Sequence, residues 1–414
     1  MYNDYLTLSK IYHSPKLREY YSQEYNSRIN SAATFKLPFF TKDSEDQFFV
    51  MMTAYIYSLT ISAYEKQLEL KDLCTNLPPA AIEGHIKNYI LVEELMKSNE
   101  IEGVRSSRKD IQTAVDGVDS INNWEKKKKI RFFNQVEQYF KLLNDEEIPL
   151  KTPQDIRNLY DEFLKGEIED KDLPDGNIFR AGSVSVYSAT GSELHIGIYP
   201  EKKIISAMDK LLGFLNDSSI PVLLKVAIAH YYFGYIHPFY DGNGRISRLI
   251  SSVILAESFD MLVAMRLSFT IHENISKYYK AFEVSNDPLN KGDLTFFCTV
   301  FLEIICSAID ELSDDLSLKK TQLLEVSDTI KDLTDLNESE KSVLFILQQA
   351  KVFSNLSLGL KALEKNCDVG KTKIKKCLNS LEDKGYIYID KSRRAFKYVL
   401  NIEMWNKCNQ KDES

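Results

Sequence analysis

Apolar residues recur at three- and four-residue spacing through most of the chain. That period predicts helices around 45–66, 82–102, 125–143, 153–165, 203–216, 221–236, 244–257 and 273–284. The stretch from Phe48 to Tyr64 carries no charge, but its Ser, Thr and Tyr content and its length fall short of a bilayer span, so it reads as a buried helix. Between Gly176 and Pro200 the period changes: Ser183–Tyr187 alternates, Gly191 marks a turn, and Leu194–Ile198 alternates again, which predicts a β-hairpin set into a helical body. From Asp293 to about Asp335 one or two helices are expected. Their apolar half gives way to a charged half, which places a boundary or helical linker within 312–336. Beyond it, helices are predicted at Glu338–Ala350, Leu356–Lys365 and Gly370–Lys384. Two alternating strands, Tyr386–Ile389 and Ala395–Leu400, then flank the polar turn Asp390–Arg394. Three helices followed by a two-stranded ribbon predict a winged helix-turn-helix.

Composition changes this picture little. At 414 residues, 44% hydrophobic and 27% charged, the chain fits two or three domains with sizeable cores. Its net charge of −8 argues against a surface that coats nucleic acid throughout, though not against a local basic patch. The six cysteines form no CxxC pair and no Cys/His cluster of zinc spacing, so reduced thiols in a cytoplasmic protein are expected. The N-terminus lacks the basic and apolar regions of a secretory signal, and no contact with a membrane is expected. Residues Lys126–Lys129 read as a solvated helix face.

The candidate chemistry sits between two apolar helices. Pro238 lacks an amide hydrogen and biases His237 away from helical geometry, so the helix over 221–236 must end there. The next helix is expected from Gly244 or Arg245. Gly242-Asn243-Gly244 therefore lies just before a helix N-terminus, where converging backbone amides and the helix dipole suit phosphate. Arg245 and Arg248 share a helix face and offer two guanidinium forks. Asp241 supplies one carboxylate, enough to hold Mg²⁺ when phosphate oxygens complete the shell. At the loop entrance His237 is the natural general base for a hydroxyl nucleophile.

His237 to Arg248 resembles the Fic family pattern HPFx[D/E]GNGRxxR at every fixed position, and Ala227, His230, Phe233 and Ile236 resemble that family's approach helix. The resemblance implies a mainly helical core with a β-hairpin flap and the transfer of AMP from ATP, with Mg²⁺, to a Ser, Thr or Tyr hydroxyl of a target protein or of the chain itself. By the same resemblance His237 deprotonates the hydroxyl and Asp241 holds the metal. Asn243, Gly244 and Arg245 cradle the α- and β-phosphates, and Arg248 meets the γ-phosphate. The intact Gly244 favours AMP transfer over phosphorylation. The hairpin 183–198 becomes the flap on which a target strand would add. Asn274, Tyr278 and Tyr279 resemble positions near the nucleotide base.

Upstream, Ser98, Glu102 and Gly103 resemble the family's inhibitory pattern [S/T]xxxE[G/N], which implies an inhibitory helix over 88–103. A Glu102 carboxylate reaching Arg248 would form a bidentate, poorly solvated ion pair and compete with the γ-phosphate for the same guanidinium. A second possibility is that Glu102 positions a water and the same site removes AMP. The resulting organisation is an N-terminal helical region over 1–115, a Fic core over 116–311, a helical linker over 312–335 and a winged helix over 336–404.

Residues 336–414 carry 15 Lys and Arg against 10 Asp and Glu, a net of +5, which leaves −13 for the rest of the chain's −8. The excess lies on Lys371, Lys373, Lys375 and Lys376 of the third helix and on Lys391, Arg393 and Arg394 of the wing, so DNA through 370–394 is one candidate partner and a protein another. The family resemblance also implies a homo-oligomer. Two alternatives stay open: a transferase using another nucleotide such as UTP, and a DNA-binding regulator that senses nucleotide without transferring it.

Overall fold

In the computed structural model the described residues are 5–120, 130–187, 193–354, 357–367, 369–390 and 396–409. They form two compact units. The first comprises Met1–Leu68 and Leu91–Asp310; the second comprises Glu69–Ile90 and Glu311–Ser414.

The first unit opens with helices α1 (Leu8–His13) and α2 (Tyr21–Ile29), followed by an antiparallel hairpin, β1 (Thr34–Phe40) and β2 (Gln47–Met51), paired from Thr34↔Met51 to Phe40↔Gln47. The helix expected over 45–66 is corrected here: residues 47–51 are a strand, and helix α3 runs over Ala54–Thr75. Short apolar runs fit either element. Packing decides for the strand, because Phe48 sits edge-on against Tyr231, Tyr232 and Tyr235 while Phe49 faces Tyr25. The expectation of a buried helix from Phe48 to Tyr64 fails for the same reason, and Tyr57, Ile61 and Tyr64 are exposed on the helical part. The region expected to be purely helical therefore contains a sheet.

After α4 (Pro79–His85) and a π-helical turn (Ile86–Ile90) come α5 (Leu91–Ile101), α6 (Arg108–Ser120), α7 (Phe133–Leu143) and α8 (Pro153–Phe163). Thr152 caps α8 in a capping box with Asp155. The Lys126–Lys129 run lies outside the described residues. A second hairpin follows, β3 (Ser185–Tyr187) and β4 (Glu193–Ile196), paired through Ser185↔Ile196 and Val186↔His195. Its tip, 188–192, lies outside the described residues.

The core is built on α9 (Glu201–Leu215), α10 (Val222–Ile236) and α11 (Asn243–Ser258). Helix α10 is buried almost all round, from Leu223 to Ile236, as its nearly unbroken apolar sequence requires. Short helices α12 (Met261–Ala264) and α13 (Leu267–Glu273) lead to α14 (Ile275–Asn286) and the 38-residue α15 (Thr295–Asp332).

The second unit contains α4, α16 (Glu338–Ser354), α17 (Leu360–Asn366), α18 (Lys371–Asp383) and α19 (Ile402–Asn409). Its three-stranded sheet has the order β5-β7-β6, from β5 (Leu358–Gly359), β6 (Ile387–Asp390) and β7 (Lys397–Leu400). The two-stranded ribbon thus gains a third strand: Leu358 and Gly359, expected to open a helix, pair with Tyr398 and Lys397. Two residues are too few to register as an alternating pattern. Val343, Leu347, Leu363, Ile374, Leu378 and Tyr386 anchor the core of this unit. The wing residues Lys391, Arg393 and Arg394 lie outside the described residues. No described helix is long and apolar enough to cross a membrane.

Candidate functional site

The loop 237–242 is held open by its two ends. Helix α10 stops where His237 takes a left-handed conformation (φ 52°), its N–H still bonded to Phe233 O at 2.9 Å. Helix α11 starts at Asn243 behind Gly242, whose φ of +79° suits a residue without a side chain. Between them Phe239 is completely buried and stacks on Tyr160 with ring centres 3.7 Å apart. Tyr160 also donates to Asp241 O at 3.1 Å. Asn243 braces the turn: its Oδ1 accepts from Phe239 N at 3.0 Å, and its Nδ2 donates to Phe239 O at 2.8 Å. The Asn243 side chain is thus committed to the loop, so its part in cradling phosphate would fall to its backbone N–H.

His237 is half-buried, and burial pushes its imidazole down to about 3, with nearby His195 and Arg180 adding to the effect. It is neutral at pH 7 and able to accept a proton. Asp241 keeps an exposed carboxylate. Its Oδ1 accepts from Gly242 N at 2.5 Å, and its Oδ2 lies 3.3 Å from Arg245 Nη2. Arg245 is 1% exposed, and its Nε and Nη1 have no acceptor among the described residues. A buried guanidinium with two unmet donors is costly unless an anion completes it. Among the described residues no group of three or more His, Cys, Asp or Glu side chains is arranged for a metal ion. Asp241 therefore fits a cation only as one carboxylate beside phosphate oxygens, the mode Mg²⁺ favours.

Arg248 is equally buried but fully engaged. Its Nε donates to Ser98 Oγ at 3.1 Å, its Nη2 to Ser98 O at 2.8 Å and its Nη1 to Glu102 Oε1 at 3.1 Å. The bidentate carboxylate pair expected from the sequence is corrected: Glu102 takes one corner of the fork and Ser98 takes the rest. Burial works against the Arg248 charge, but Glu102 beside it more than offsets this and holds the pKa above its ordinary value. A Cβ built on Gly244 would collide with the Glu102 carboxylate, so this carboxylate lies directly over the glycine at the start of α11. Helix α5 ends at Ile101, just before Glu102; Gly103, with a φ of +69°, and the Val104 N–Asn99 O bond of 2.9 Å close its C-terminus.

Of the three residues compared with base-contacting positions, Tyr278 and Tyr279 lie close enough to Arg248 to act on its charge. Tyr278 is buried and its hydroxyl bonds His230 Nε2 at 2.8 Å. Asn274 bonds Thr270 O at 3.0 Å, and the half-exposed Tyr279 reaches Ile101 O at 3.4 Å.

Two further buried charged residues, Glu94 and Arg180, were not among the candidates expected from the sequence. Glu94, two turns before Glu102 and on the same face of α5, is completely buried. It accepts from Ser268 N (2.8 Å) and Phe269 N (3.1 Å) in the first turn of α13, and from the Tyr139 hydroxyl at 3.3 Å. Burial pushes it up to about 7. Arg180 is also completely buried and, among the described residues, donates to backbone carbonyls around the loop. The i, i+4, i+8 spacing of Glu94, Ser98 and Glu102 was available to sequence inspection; nothing around Arg180 was.

Residues 150–255, about a quarter of the chain, match the Fic/DOC family model. The chain is 33% identical over 97 residues to the protein adenylyltransferase fic-1 of Caenorhabditis elegans, covering 23% of this chain and 17% of that protein. It is likewise 33% identical over 94 residues to protein adenylyltransferase Fic of Drosophila erecta, covering 22% and 17% respectively. The matched stretch thus spans less than a fifth of those relatives. The crystal structure of a Fic family protein from Desulfovibrio desulfuricans superposes with a TM-score of 0.53 at 18% identity, covering 89% of this chain and 98% of that one, which establishes a shared fold. The chain therefore has a mainly helical Fic-like fold and carries a Fic/DOC segment distantly related to protein adenylyltransferases.

Proposed function

We propose that this chain is a protein adenylyltransferase that moves AMP from ATP to a Ser, Thr or Tyr hydroxyl, and that Glu102 holds it inactive. The observation that carries this reading is the split between two buried arginines beside one glycine-lined helix start: Arg245 keeps two unmet donors, while Arg248 and the space over Gly244 are occupied by α5.

In this reading neutral His237 takes the proton of the target hydroxyl as its oxygen bonds to the α-phosphorus. The bond from that phosphorus to the bridging oxygen breaks, and pyrophosphate leaves. Gly244 N–H and Arg245 hold the α- and β-phosphates, and Arg248 holds the γ-phosphate once Glu102 has moved away. Asp241 would hold Mg²⁺, which neutralises phosphate charge when bound. The hairpin β3–β4 offers a strand edge for a target segment.

Glu102→Gly should raise incorporation of labelled AMP into the protein or a lysate target, and His237→Ala in that background should abolish it. Equal incorporation with and without Glu102 would sink autoinhibition; labelled UTP as the better donor would replace the nucleotide. Should the Glu102→Gly protein instead strip AMP from a modified substrate, Glu102 would not be needed for that step, against the removal reading.

We also propose that residues 336–404 form a winged helix-turn-helix that docks on DNA through α18. The supporting observation is that Lys373, Lys375 and Lys376 are all exposed on that helix. Gel shifts at two salt concentrations test it: phosphate contacts predict a steep loss of binding with salt, and no shift at low salt excludes DNA.

A further inference from the structure

Among the described residues Arg180 is a buried cation with no carboxylate partner. Its Nε donates to His237 O at 2.8 Å, its Nη2 to Ile198 O at 2.8 Å and more weakly to Ile236 O at 3.5 Å, and its Nη1 to Gly182 O. Burial brings its pKa down to about 10, so it remains charged at pH 7. Gly182 and Ile198 flank the hairpin β3–β4, and Ile236 and His237 end α10. One guanidinium fork thus ties both legs of the hairpin to the residue whose left-handed backbone aims the imidazole.

Neighbouring contacts enclose the same junction. Ile198 N donates to Ile236 O at 3.0 Å, and Gly182 N donates to the Tyr240 hydroxyl at 2.9 Å. A Cβ on Gly197 would collide with Arg180 Nη2 and come within 2.9 Å of His237 Cβ, so the junction has no spare room. Leaving a charge buried among carbonyls costs more than an apolar filling of the same shape would, unless the position it enforces is needed.

We propose that Arg180 is a positioning residue that fixes the hairpin and the His237 backbone as one unit, so that a hydroxyl carried by a strand on the hairpin arrives within reach of the imidazole. This rests on the transfer reading given above. The charge also bears on the base. Arg180 and His195 of β4 are the groups facing His237 that lower its pKa, and His195 is itself neutral, pushed down to about 4 by burial with its Nε2 2.7 Å from Tyr235 O.

The test uses Arg180→Lys, Arg180→Met and Gly197→Ala, each in the full-length Glu102→Gly protein. Arg180→Lys keeps a charge but loses the fork. Expected are a fall in kcat of about 100-fold for a base displaced by an ångström, little change in KM for ATP, and faster hydrogen exchange at the Gly197 and Ile198 amides. Gly197→Ala, whose added methyl would push the Arg180 fork aside while keeping its charge, should give the same split. Arg180→Met should in addition move the acid limb of the kcat profile to higher pH, because the imidazole loses a neighbouring cation; a purely structural role would not shift that limb.

Unchanged exchange at those amides in Arg180→Lys, or KM rising in place of a kcat loss, would overturn the proposal. Hydrogen exchange is read without any turnover, so a silent Glu102→Gly protein would count against the transferase reading while still testing the junction.

Discussion

Arg245 and Arg248 stand three residues apart on α11, each 1% exposed, and yet their surroundings are opposite. Arg248 spends three donors on Ser98 of α5 and on Glu102 just beyond its end, whereas Arg245 meets one partly exposed carboxylate and leaves two donors unmet. Burial alone therefore says nothing about how ready a cation is for a ligand. What differs is which element packs over it: the outer arginine faces the loop, and the inner one faces a helix that brings its own carboxylate. One arginine of the pair is left open to an anion, and the other is already met by a carboxylate.

The sharpest way to break this contrast is to remove the unmet cation. In the Glu102→Gly background, Arg245→Ala should lower kcat/KM for AMP transfer by about 10²–10³-fold, the usual cost of deleting one preorganised charge-stabilising donor. A loss under threefold would mean that Arg245 holds no phosphate.

Next in size is the buried carboxylate that fastens α5. Glu94 titrates near 7 in the folded chain against an ordinary value of 4.5, so the folded state keeps a proton that the unfolded chain releases between those values. The Glu94 contribution to stability is therefore most favourable below 4.5. It declines by roughly 3 kcal/mol as pH rises to about 7, and then stays level. Tyr139 of α7, the first-turn amides of α13 and Arg248 of α11 are the groups that face it. Glu94→Gln keeps the shape without the charge, so its Tm should equal the parent's near pH 4.5 and exceed it increasingly towards pH 7. A constant gap across that range would contradict the assignment.

The smallest expected effect is at Ser98. Ser98→Ala removes one acceptor from Arg248 and leaves the carbonyl and Glu102 in place. A hydrogen bond to a charged group of this size predicts about a tenfold rise in basal transfer, short of that from Glu102→Gly. A rise matching Glu102→Gly would place the restraint on Ser98 instead.

How much of this was legible in the sequence follows from how local each feature is. The loop 237–248 was readable because its glycines, proline and charged residues are contiguous and lie between two apolar helices, so each constrains the next. The placement of Ser98 and Glu102 on one helix face was readable from spacing. Their division of the Arg248 fork was not, because it depends on how α5 meets α11. Strand β2 was misread because Phe48-Phe49-Val50 has no period of its own, and the aromatic face of α10 decides its conformation. Arg180 and Glu94 bond to backbone groups 57 and 174 residues away in sequence, a distance no local pattern spans. Tyr278 resembles a position near the nucleotide base, but its spacing could not tell a buried partner of His230 from a residue open to a base.

The proposed competition for Arg248 can be tested without any target protein, by calorimetric titration of ATP and of ADP into the parent and into Glu102→Gly. Only ATP carries the γ-phosphate that would need the inner arginine. If Glu102 stands in for that phosphate, its removal should tighten ATP binding by about 10-fold or more, within the range of ordinary coupling between sites, and leave ADP nearly unchanged. If the ratio of ATP to ADP affinity is the same in both proteins, Glu102 does not compete with the γ-phosphate, and the ion pair with Arg248 only holds α5 to the core.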